Sequence, residues 1–262
     1  MKVIPRRKRT PEQRTGSMTV VEHLEELRHR LIVCLYAVAA GSVVGWFLYP
    51  VFFRIVQSPF CDYINSHPEL APPTGCDLVY NGVLDGMLVK IKVVVFLGLL
   101  VALPVVLYQL WAFVAPGLTA KEKRYSVPFV LTSCLLFVLG AVVAYVMLPK
   151  GLGFLLGFAG EGVVPLLTFD RYIGFVILLA VAFGISFLFP IFLVFLELVG
   201  VLSPDRLAKD RRYWLLGISI FAAVITPSSD PYTMLAMMIP MYLFYEASII
   251  IGRFLRRSRT PS

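Results

Sequence analysis

The chain has 262 residues, of which 58% are hydrophobic and only 15% are charged, and it carries a formal net charge of +8. An ordinary globular domain is about half apolar and about a quarter charged. This chain therefore lacks the polar residues that would cover the core of a soluble protein, and the same composition excludes a disordered one. Four cysteines in so long a chain exclude a disulfide-dense scaffold, so the composition indicates an integral membrane protein.

Six apolar runs follow one another along the chain. A helix that crosses a bilayer needs about 20 mostly apolar residues, and these runs are continuously apolar rather than alternating, which argues against a transmembrane β-barrel. We therefore predict an all-α integral membrane protein with a single membrane domain over residues 17–255 and six transmembrane helices. The predicted spans are 31–53, 93–114, 125–149, 172–202, 213–226 and 233–251.

The distribution of Lys and Arg predicts the orientation of these spans. With six spans, the two termini and the second and fourth connecting loops share one side, which carries 19 of the 24 Lys and Arg residues. The five on the opposite side are Arg54, Lys90, Lys92, Lys150 and Arg171. Since positive residues concentrate on the cytoplasmic side, both termini are predicted to be cytoplasmic. The positive charge is then a topology signal, and no nucleic-acid partner is expected.

The N-terminal region has two predicted parts. Residues 1–16 are basic and contain proline, which predicts a disordered cytoplasmic tail, and residues 256–262 form a second cytoplasmic tail. Residues 17–30 predict an amphipathic helix at the membrane interface, because Thr19 and Glu22 fit a capping box and apolar residues recur at helical spacing. This helix is expected to run into the first span.

Two loops are predicted on the outer side, at 54–92 and at 150–171, and we expect them to pack together as a cap. The first loop contains four prolines as well as Cys61 and Cys76. If the outer side is oxidising, a disulfide between these two cysteines is possible, and the sequence leaves this open.

The carboxylates on the cytoplasmic side have two interpretations. Glu26 lies four residues before Arg30, so an ion pair along the helix is one of them. The other is a cluster, formed by glutamates before the first span and by Glu122 after the second, that receives an arginine-bearing partner. Arginine prefers bidentate contacts with carboxylates, and these contacts gain strength near a low-dielectric boundary.

Two features of the later spans are unusual. Glu197 lies within the fourth span, where an ionisable group is costly, so it is either functional or close enough to the cytoplasmic end to extend to the interface. The fifth span is about 21 Å long, against a hydrocarbon core of about 30 Å. We expect a thinner bilayer beside it, and a tight turn at 226–231 before the last span.

Five segments together resemble one protein family. They are HLEELRHRL at 23–31, PVVLYQLWAFVAPGL at 104–118, KEKR at 121–124, AFGISF at 182–187 and IPMYLFYE at 239–246. In this order and at this spacing they resemble TatC, the multispanning subunit of the twin-arginine protein translocase. The resemblance covers nearly the whole chain, residues 18–255.

The resemblance implies a receptor for the twin-arginine signal peptides of folded cargo proteins. It also implies single-span partners of the TatA and TatB type, a homo-oligomer within the translocase, and transport driven by the proton-motive force. The expected location is the plasma membrane of a bacterium or an archaeon, with no cofactor and no enzymatic activity.

The same resemblance assigns roles to individual residues. Glu26 and Glu122 match the glutamates that receive the arginines of the signal peptide. Arg28 and Phe113 match further residues of the family's motifs on the cytoplasmic side of the membrane, and we assign them to signal-peptide binding.

Four further positions, Pro59, Asp230, Leu188 and Glu197, are candidates for structural roles or partner contacts. Pro59 in the first outer loop and Asp230 in the last outer turn match positions of this kind in the family. Leu188, in SFLFP at 186–190, stands where the family usually carries Glu or Gln. Glu197 lies nine residues later and faces roughly the opposite side of the helix, so it is not a simple substitute.

Three other kinds of function are weighed against the receptor. A proton- or ion-coupled small-molecule transporter needs a polar site at the bilayer midplane and usually repeated halves, and the sequence offers only Glu197 and no repeat. An intramembrane enzyme needs a paired nucleophile and base or a metal site, and His23, His29 and His67 show no metal-ligand spacing. A structural scaffold would differ from the receptor in not binding signal peptides.

Overall fold

The computed structural model of the chain describes residues 20–66, 75–114, 126–157, 168–198, 200–226 and 230–257. These residues form eight helices and, within the described ranges, no β-strand, so the predicted all-α class is confirmed. The helices are α1 (Val20–Ser66), α2 (Asp85–Val114), α3 (Ser126–Gly157), α4 (Phe169–Phe187), α5 (Phe189–Leu198), α6 (Pro204–Lys209), α7 (Arg211–Ile225) and α8 (Pro231–Arg257). The predicted tail at 1–16 lies outside the described residues.

Five helical stretches are long and apolar enough to cross a membrane, and α4 and α5 together form the fourth of them. They are Val21–Ser66, Asp85–Phe113, Val127–Gly157, Phe169–Glu197 and Pro231–Phe254. The chain is therefore a multi-pass membrane protein. Helix α7, at 15 residues, is shorter than this, so the span predicted at 213–226 stays a prediction.

Helix α1 is continuous over 47 residues, about 70 Å, where the sequence predicted a separate interfacial helix, a span and then a loop from residue 54. Within α1 no proline occurs before Pro50, so the amphipathic start continues directly into the apolar part. Pro50 and Pro59 both fall inside the helix without ending it. Hydropathy therefore located the apolar part of α1 but not the ends of the helix.

The fourth predicted span, 172–202, is interrupted in the structure. Helices α4 and α5 are separated by Leu188, whose N–H donates to the Ile185 carbonyl at 3.0 Å. Pro190 explains the interruption, because proline has no N–H to donate to the carbonyl four residues earlier and its ring crowds that turn. Leu188 consequently lies at the junction of the two helices.

The C-terminal third adds three helices that pack on one another. Gly200 follows α5 with a φ of 81°, a left-handed conformation that glycine adopts without strain. Ser203 caps α6 by accepting the N–H of Arg206 at 3.3 Å. The Tyr245 hydroxyl of α8 donates to the Leu207 carbonyl of α6 at 2.6 Å, which holds α6 on α8.

The two ends of the bundle differ. The cap end contains the C-terminal part of α1 and the N-terminal parts of α2, α4 and α8; the basic end contains the beginning of α1, the end of α2 and helix α6. At the cap end, Val79 and Thr168 form an isolated parallel bridge, and the N–H of Phe169 donates to the Val79 carbonyl at 2.8 Å. Lys92 forms an ion pair with Asp170. The described parts of the two predicted outer loops therefore pack together.

Helices α1 and α2 approach closely where small residues face each other. A Cβ added at Gly41 would lie 2.5 Å from the Gly98 carbonyl oxygen, and one added at Gly98 would lie 2.7 Å from the Ser42 nitrogen. Such distances leave no room for a methyl group, so the backbone contact requires glycine. Helices α3 and α4 also approach closely: a Cβ added at Gly140 would lie 2.6 Å from the Phe183 carbonyl oxygen, and one added at Gly184 would lie 2.7 Å from the Phe137 ring.

We predict that Gly98→Ala lowers the free energy of unfolding by about 1–3 kcal/mol, because the added methyl group forces α1 and α2 apart. Gly86→Ala is the matched control on the same helix, since a Cβ there has no neighbour within 4 Å. It should leave stability unchanged or raise it by up to about 1 kcal/mol through helix propensity. Unfolding of both variants in mixed micelles measures the difference, and equal stabilities would contradict the packing argument.

Candidate functional site

The candidate site lies at the basic end, where α1 begins and α2 ends. Glu26 and Arg30 are four residues apart on α1, so their side chains project from the same face. Arg30 donates from Nε to Oε1 of Glu26 at 3.0 Å, and its Nη2 donates to the same oxygen. The ion pair that was one interpretation of the sequence is therefore present, with the two side chains only 21% and 20% exposed.

Arg30 also joins α1 to α2. Its Nη1 donates to Oε1 of Gln109 at 3.0 Å. One turn further along α2, the Phe113 ring stacks on the His23 imidazole, with centroids 4.3 Å apart and planes inclined by 13°. We call these five residues (His23, Glu26, Arg30, Gln109 and Phe113) the Glu26 cluster.

The two oxygens of the Glu26 carboxylate differ. Oε1 accepts both hydrogen bonds from Arg30, whereas Oε2 is buried and has no hydrogen-bond partner among the described residues. The Nδ1 of His23 lies 3.8 Å from Oε2, which is beyond hydrogen-bonding distance. A buried acceptor without a donor is costly, so Oε2 is the atom of the cluster that is suited to accept a donor from another molecule.

Of the four residues assigned to signal-peptide binding, the structure brings two together. Glu26 and Phe113 belong to the Glu26 cluster. Arg28 is exposed, and because it follows Glu26 by two residues its side chain points to a different face of α1. Glu122 lies outside the described residues, in the segment 115–125 that connects α2 to α3.

Sequence reasoning missed three members of the cluster as site residues. Gln109 precedes Phe113 by four residues, and His23 precedes Glu26 by three, so each shares a helix face with an assigned residue. Arg30 was considered only as an ion-pair partner. A search for polar residues on the same faces as the assigned residues would have found all three.

At the cap end, Pro59 is buried inside α1. Since proline has no N–H, the carbonyl of Ile55 lacks its helical donor. The Tyr145 hydroxyl of α3 donates to this carbonyl at 3.0 Å, and the Tyr172 hydroxyl of α4 donates to the adjacent Val56 carbonyl at 2.7 Å. Pro59 thus lies where two tyrosines tie α1 to α3 and α4.

We predict that Tyr172→Phe lowers the free energy of unfolding by about 1–2 kcal/mol, because it removes a buried hydrogen bond and leaves the ring in place. Tyr145→Phe is the same chemical change at an exposed hydroxyl and should cost less. The unfolding midpoints of the two variants, measured in the same detergent, show which variant loses more stability. A larger loss of stability for Tyr145→Phe than for Tyr172→Phe would contradict the prediction.

Asp230, which is fully buried, caps the N-terminus of α8. Its Oδ1 accepts the N–H of Thr233 at 2.8 Å, and its Oδ2 accepts the Thr233 hydroxyl. A helix N-terminus stabilises a carboxylate in this position, which accounts for a buried aspartate here. Most of the predicted turn before it, residues 227–229, lies outside the described residues.

Cys61 and Cys76 are joined by a disulfide at the cap end, with their Cα atoms 4.9 Å apart. Beside it, Nε2 of Gln57 donates to the Cys76 carbonyl at 3.3 Å. Both contacts hold the segment that precedes α2 against the end of α1. Cys34 and Cys134 are free thiols.

Leu188 lines an apolar pocket of about 230 Å³ between α2, α3 and α5. Leu107 and Trp111 of α2 form part of the same wall. Its one polar lining residue in the described part of the chain is Ser133, whose hydroxyl donates to the Phe129 carbonyl of its own helix at 2.7 Å. The described lining of this pocket therefore contains no charged side chain.

Glu197 is a second buried carboxylate, and both of its oxygens lack a hydrogen-bond partner among the described residues. A Cβ added at Gly252 of α8 would lie 2.6 Å from Cδ of Glu197 and 2.9 Å from Cγ of Pro204. The carboxylate thus packs directly against the backbone of α8. It does not extend to the exposed surface, as the interfacial interpretation required.

We predict that Glu197→Met raises the free energy of unfolding by about 1–3 kcal/mol, because it replaces an unpartnered buried carboxylate by an apolar side chain of similar length. Glu246→Met is the matched control, since Glu246 accepts a hydrogen bond from Arg211 at 2.9 Å. Losing that partly exposed ion pair should lower stability by up to about 1 kcal/mol. Denaturant titration measures both, and a destabilised Glu197→Met variant would show that the carboxylate is stabilised by its surroundings.

Metal-ligand side chains do not cluster in the described part of the chain. No group of three or more His, Cys, Asp or Glu residues there could hold a metal ion. The chemistry that the Glu26 cluster offers is recognition through charge, hydrogen bonds and an aromatic face.

Comparison with known proteins gives a consistent picture. A family model described as Sec-independent protein translocase protein (TatC) matches residues 22–240. The chain is 42% identical over 250 residues to the Sec-independent protein translocase protein TatC of Frankia casuarinae, an alignment that covers 94% of this chain and 68% of that protein. It is 39% identical to the protein of the same name from Aquifex aeolicus, with 92% and 98% covered.

Solved structures resemble the fold as well. A crystal structure of a twin-arginine translocase receptor, TatC, matches with a TM-score of 0.68 at 39% identity, covering 88% of this chain and 98% of that one. A second crystal structure of such a receptor, in DDM, matches with a TM-score of 0.69 at the same identity.

Proposed function

The chain belongs to the TatC family, and from this premise we propose how it recognises its cargo. It is the receptor subunit of the twin-arginine translocase, a component of Sec-independent protein transport and not an enzyme. It acts within that translocase as a multi-pass membrane protein. In our proposal, Glu26 and Glu122 receive the two arginines of the signal peptide on folded cargo.

The observation that carries the proposal is Oε2 of Glu26, a buried acceptor that has no hydrogen-bond donor among the described residues. An arginine guanidinium supplies N–H donors in a planar fork that fits carboxylate oxygens, and such charge-assisted hydrogen bonds are the strong ones. The low exposure of Glu26 reduces screening by water, which strengthens the contact further. One arginine of the pair therefore binds at Oε2.

The second arginine binds Glu122 in this proposal. The segment 115–125 starts just after Phe113 and ends at the beginning of α3, so both of its ends lie at the basic end of the bundle. A carboxylate in this segment is close enough along the chain to approach the Glu26 cluster. Phe113 supplies an aromatic face beside the arginines, and the exposed Arg28 donates to carbonyl groups of the peptide.

The proposed topology has six spans with both termini in the cytoplasm, within one membrane domain over residues 17–255 that has a short tail on either side. Helix α7 is the fifth span, and its 15 residues extend about 22 Å, so the bilayer thins beside it. The excess of Lys and Arg at the basic end supports this orientation in a bacterial or archaeal plasma membrane. The Glu26 cluster then faces the compartment where cargo is made, and the cap end faces outwards.

The proposed partners are single-span proteins of the TatA and TatB type, further copies of this chain and the lipid bilayer, with transport driven by the proton-motive force. The apolar pocket at Leu188 supports a contact with a partner helix through packing rather than through a polar side chain. Pro59 and Asp230 support this assembly indirectly. Pro59 leaves the Ile55 carbonyl of α1 free to accept from Tyr145 of α3, and Asp230 caps α8.

We predict that Glu26→Gln weakens binding of a twin-arginine signal peptide at least about 30-fold, since removing one member of a buried charge pair costs about 2 kcal/mol or more. Glu122→Lys should abolish binding, because it places a like charge opposite the arginines. The measurement is fluorescence anisotropy of a labelled peptide with the full-length protein in detergent.

Glu25→Gln is the matched control, because Glu25 is exposed on the same helix next to Glu26. It should bind the peptide as the unmodified protein does. If Glu26→Gln and Glu122→Lys both bound the peptide as tightly as Glu25→Gln, neither carboxylate would be the receptor for the arginines.

A further inference from the structure

We propose that Gln109 keeps one oxygen of Glu26 available for the signal peptide by holding the guanidinium of Arg30 on the other oxygen. Gln109 is in this view a positioning residue that acts through Arg30. The inference rests on the proposed function, because it assumes that Glu26 receives an arginine of the peptide.

Arg30 forms hydrogen bonds with residues of two helices. Its Nε and Nη2 both donate to Oε1 of Glu26, and its Nη1 donates to Gln109 at 3.0 Å. An arginine beside a carboxylate often forms a fork, with two parallel N–H···O bonds to the two oxygens. Here Nη1 of Arg30 donates to Gln109 of α2, and Nε and Nη2 both donate to the same oxygen, Oε1 of Glu26.

This arrangement of Arg30 leaves the second oxygen of Glu26 available. With Arg30 held in this way, Oε2 is buried and has no donor among the described residues. If Gln109 released Nη1, the guanidinium could rotate and donate to both oxygens, which would fill the position that the peptide needs. An internal arginine would then compete with the arginine of the cargo.

The aromatic pair beside the carboxylate completes the site. His23 lies with Nδ1 3.8 Å from Oε2, and its side chain is 46% exposed, so it has room to turn away from the Phe113 ring. The uncovered face of Phe113 can then stack on a planar guanidinium. A lysine has neither the fork nor the planar face, so this arrangement favours arginine over lysine.

The test uses Gln109→Met, which keeps the length of the side chain and removes the acceptor for Arg30. We expect it to weaken binding of a synthetic twin-arginine signal peptide by roughly fivefold to tenfold, because Arg30 then competes with the peptide for Oε2 of Glu26. It should also reduce the preference for that peptide over one in which the two arginines are lysines. Gln57→Met, the same substitution at the cap end, is the matched control.

A second substitution separates positioning from a general loss of structure. In the double variant Gln109→Met with Arg30→Lys, the lysine cannot form a fork with both oxygens. It should therefore bind the peptide more tightly than Gln109→Met alone. Gln109→Glu, which retains an acceptor for Arg30, should also bind more tightly than Gln109→Met. If Gln109→Met does not fold, Gln109→Ala replaces it in both comparisons.

Three results would overturn the inference. One is a Gln109→Met variant that binds as the Gln57→Met control does, and another is a double variant no better than Gln109→Met. The third is a Gln109→Met effect that persists undiminished when Glu26 is already replaced by Gln. A failure of the proposed function looks different, because Glu26→Gln alone would then bind the peptide normally.

Discussion

Inside a bilayer no water is available to complete a hydrogen bond, so every backbone group and every buried polar side chain needs a partner within the protein. A similar need for a partner arises at the cap end, where Pro59 interrupts the backbone hydrogen bonds of α1. Pro59 leaves the Ile55 carbonyl without a helical donor, and a tyrosine hydroxyl from a neighbouring helix supplies one. The buried Asp230 is likewise satisfied by the first turn of α8. Some contacts between helices are thus made where a helix cannot satisfy its own backbone, whereas others are made where glycines allow two helices to approach.

Two carboxylates depart from this requirement, and they do so in different surroundings. Glu197 is enclosed between α5 and the backbone of α8 at Gly252, with no charged partner described nearby. Glu26 lies near a helix end beside a cation, an amide and two aromatic rings, and one of its oxygens has no hydrogen-bond partner within the described ranges. A carboxylate that is half satisfied near a surface suits binding, because a ligand can complete it without first breaking the existing ion pair.

Much of the fold follows from hydropathy, because long apolar runs must leave water whatever their detailed packing. The all-α class and the multi-pass membrane character could be read in this way, and the family motifs drew attention to Glu26 and Phe113. The continuity of α1 and the break at Leu188 could not, since both depend on how individual turns satisfy their carbonyls. The contact between Arg30 and Gln109 joins residues 79 positions apart, and no periodicity along one helix reports such a contact.

The glycine contact between α1 and α2 has a geometric consequence for the Glu26 cluster. Glu26 precedes Gly41, and Phe113 follows Gly98, by about 15 residues in each case, so both arms measure about 22 Å from the point where the two backbones touch. The arm on α1 contains no proline or glycine and is stiff. A small change in the crossing angle therefore produces a larger displacement at the ends of the two arms. Opening the angle by about 5° would widen the gap between Glu26 and Phe113 by about 2 Å. Gly41 and Gly98, which have no side chain and lie within the apolar part of their helices, thus determine the width of a binding site at the membrane surface.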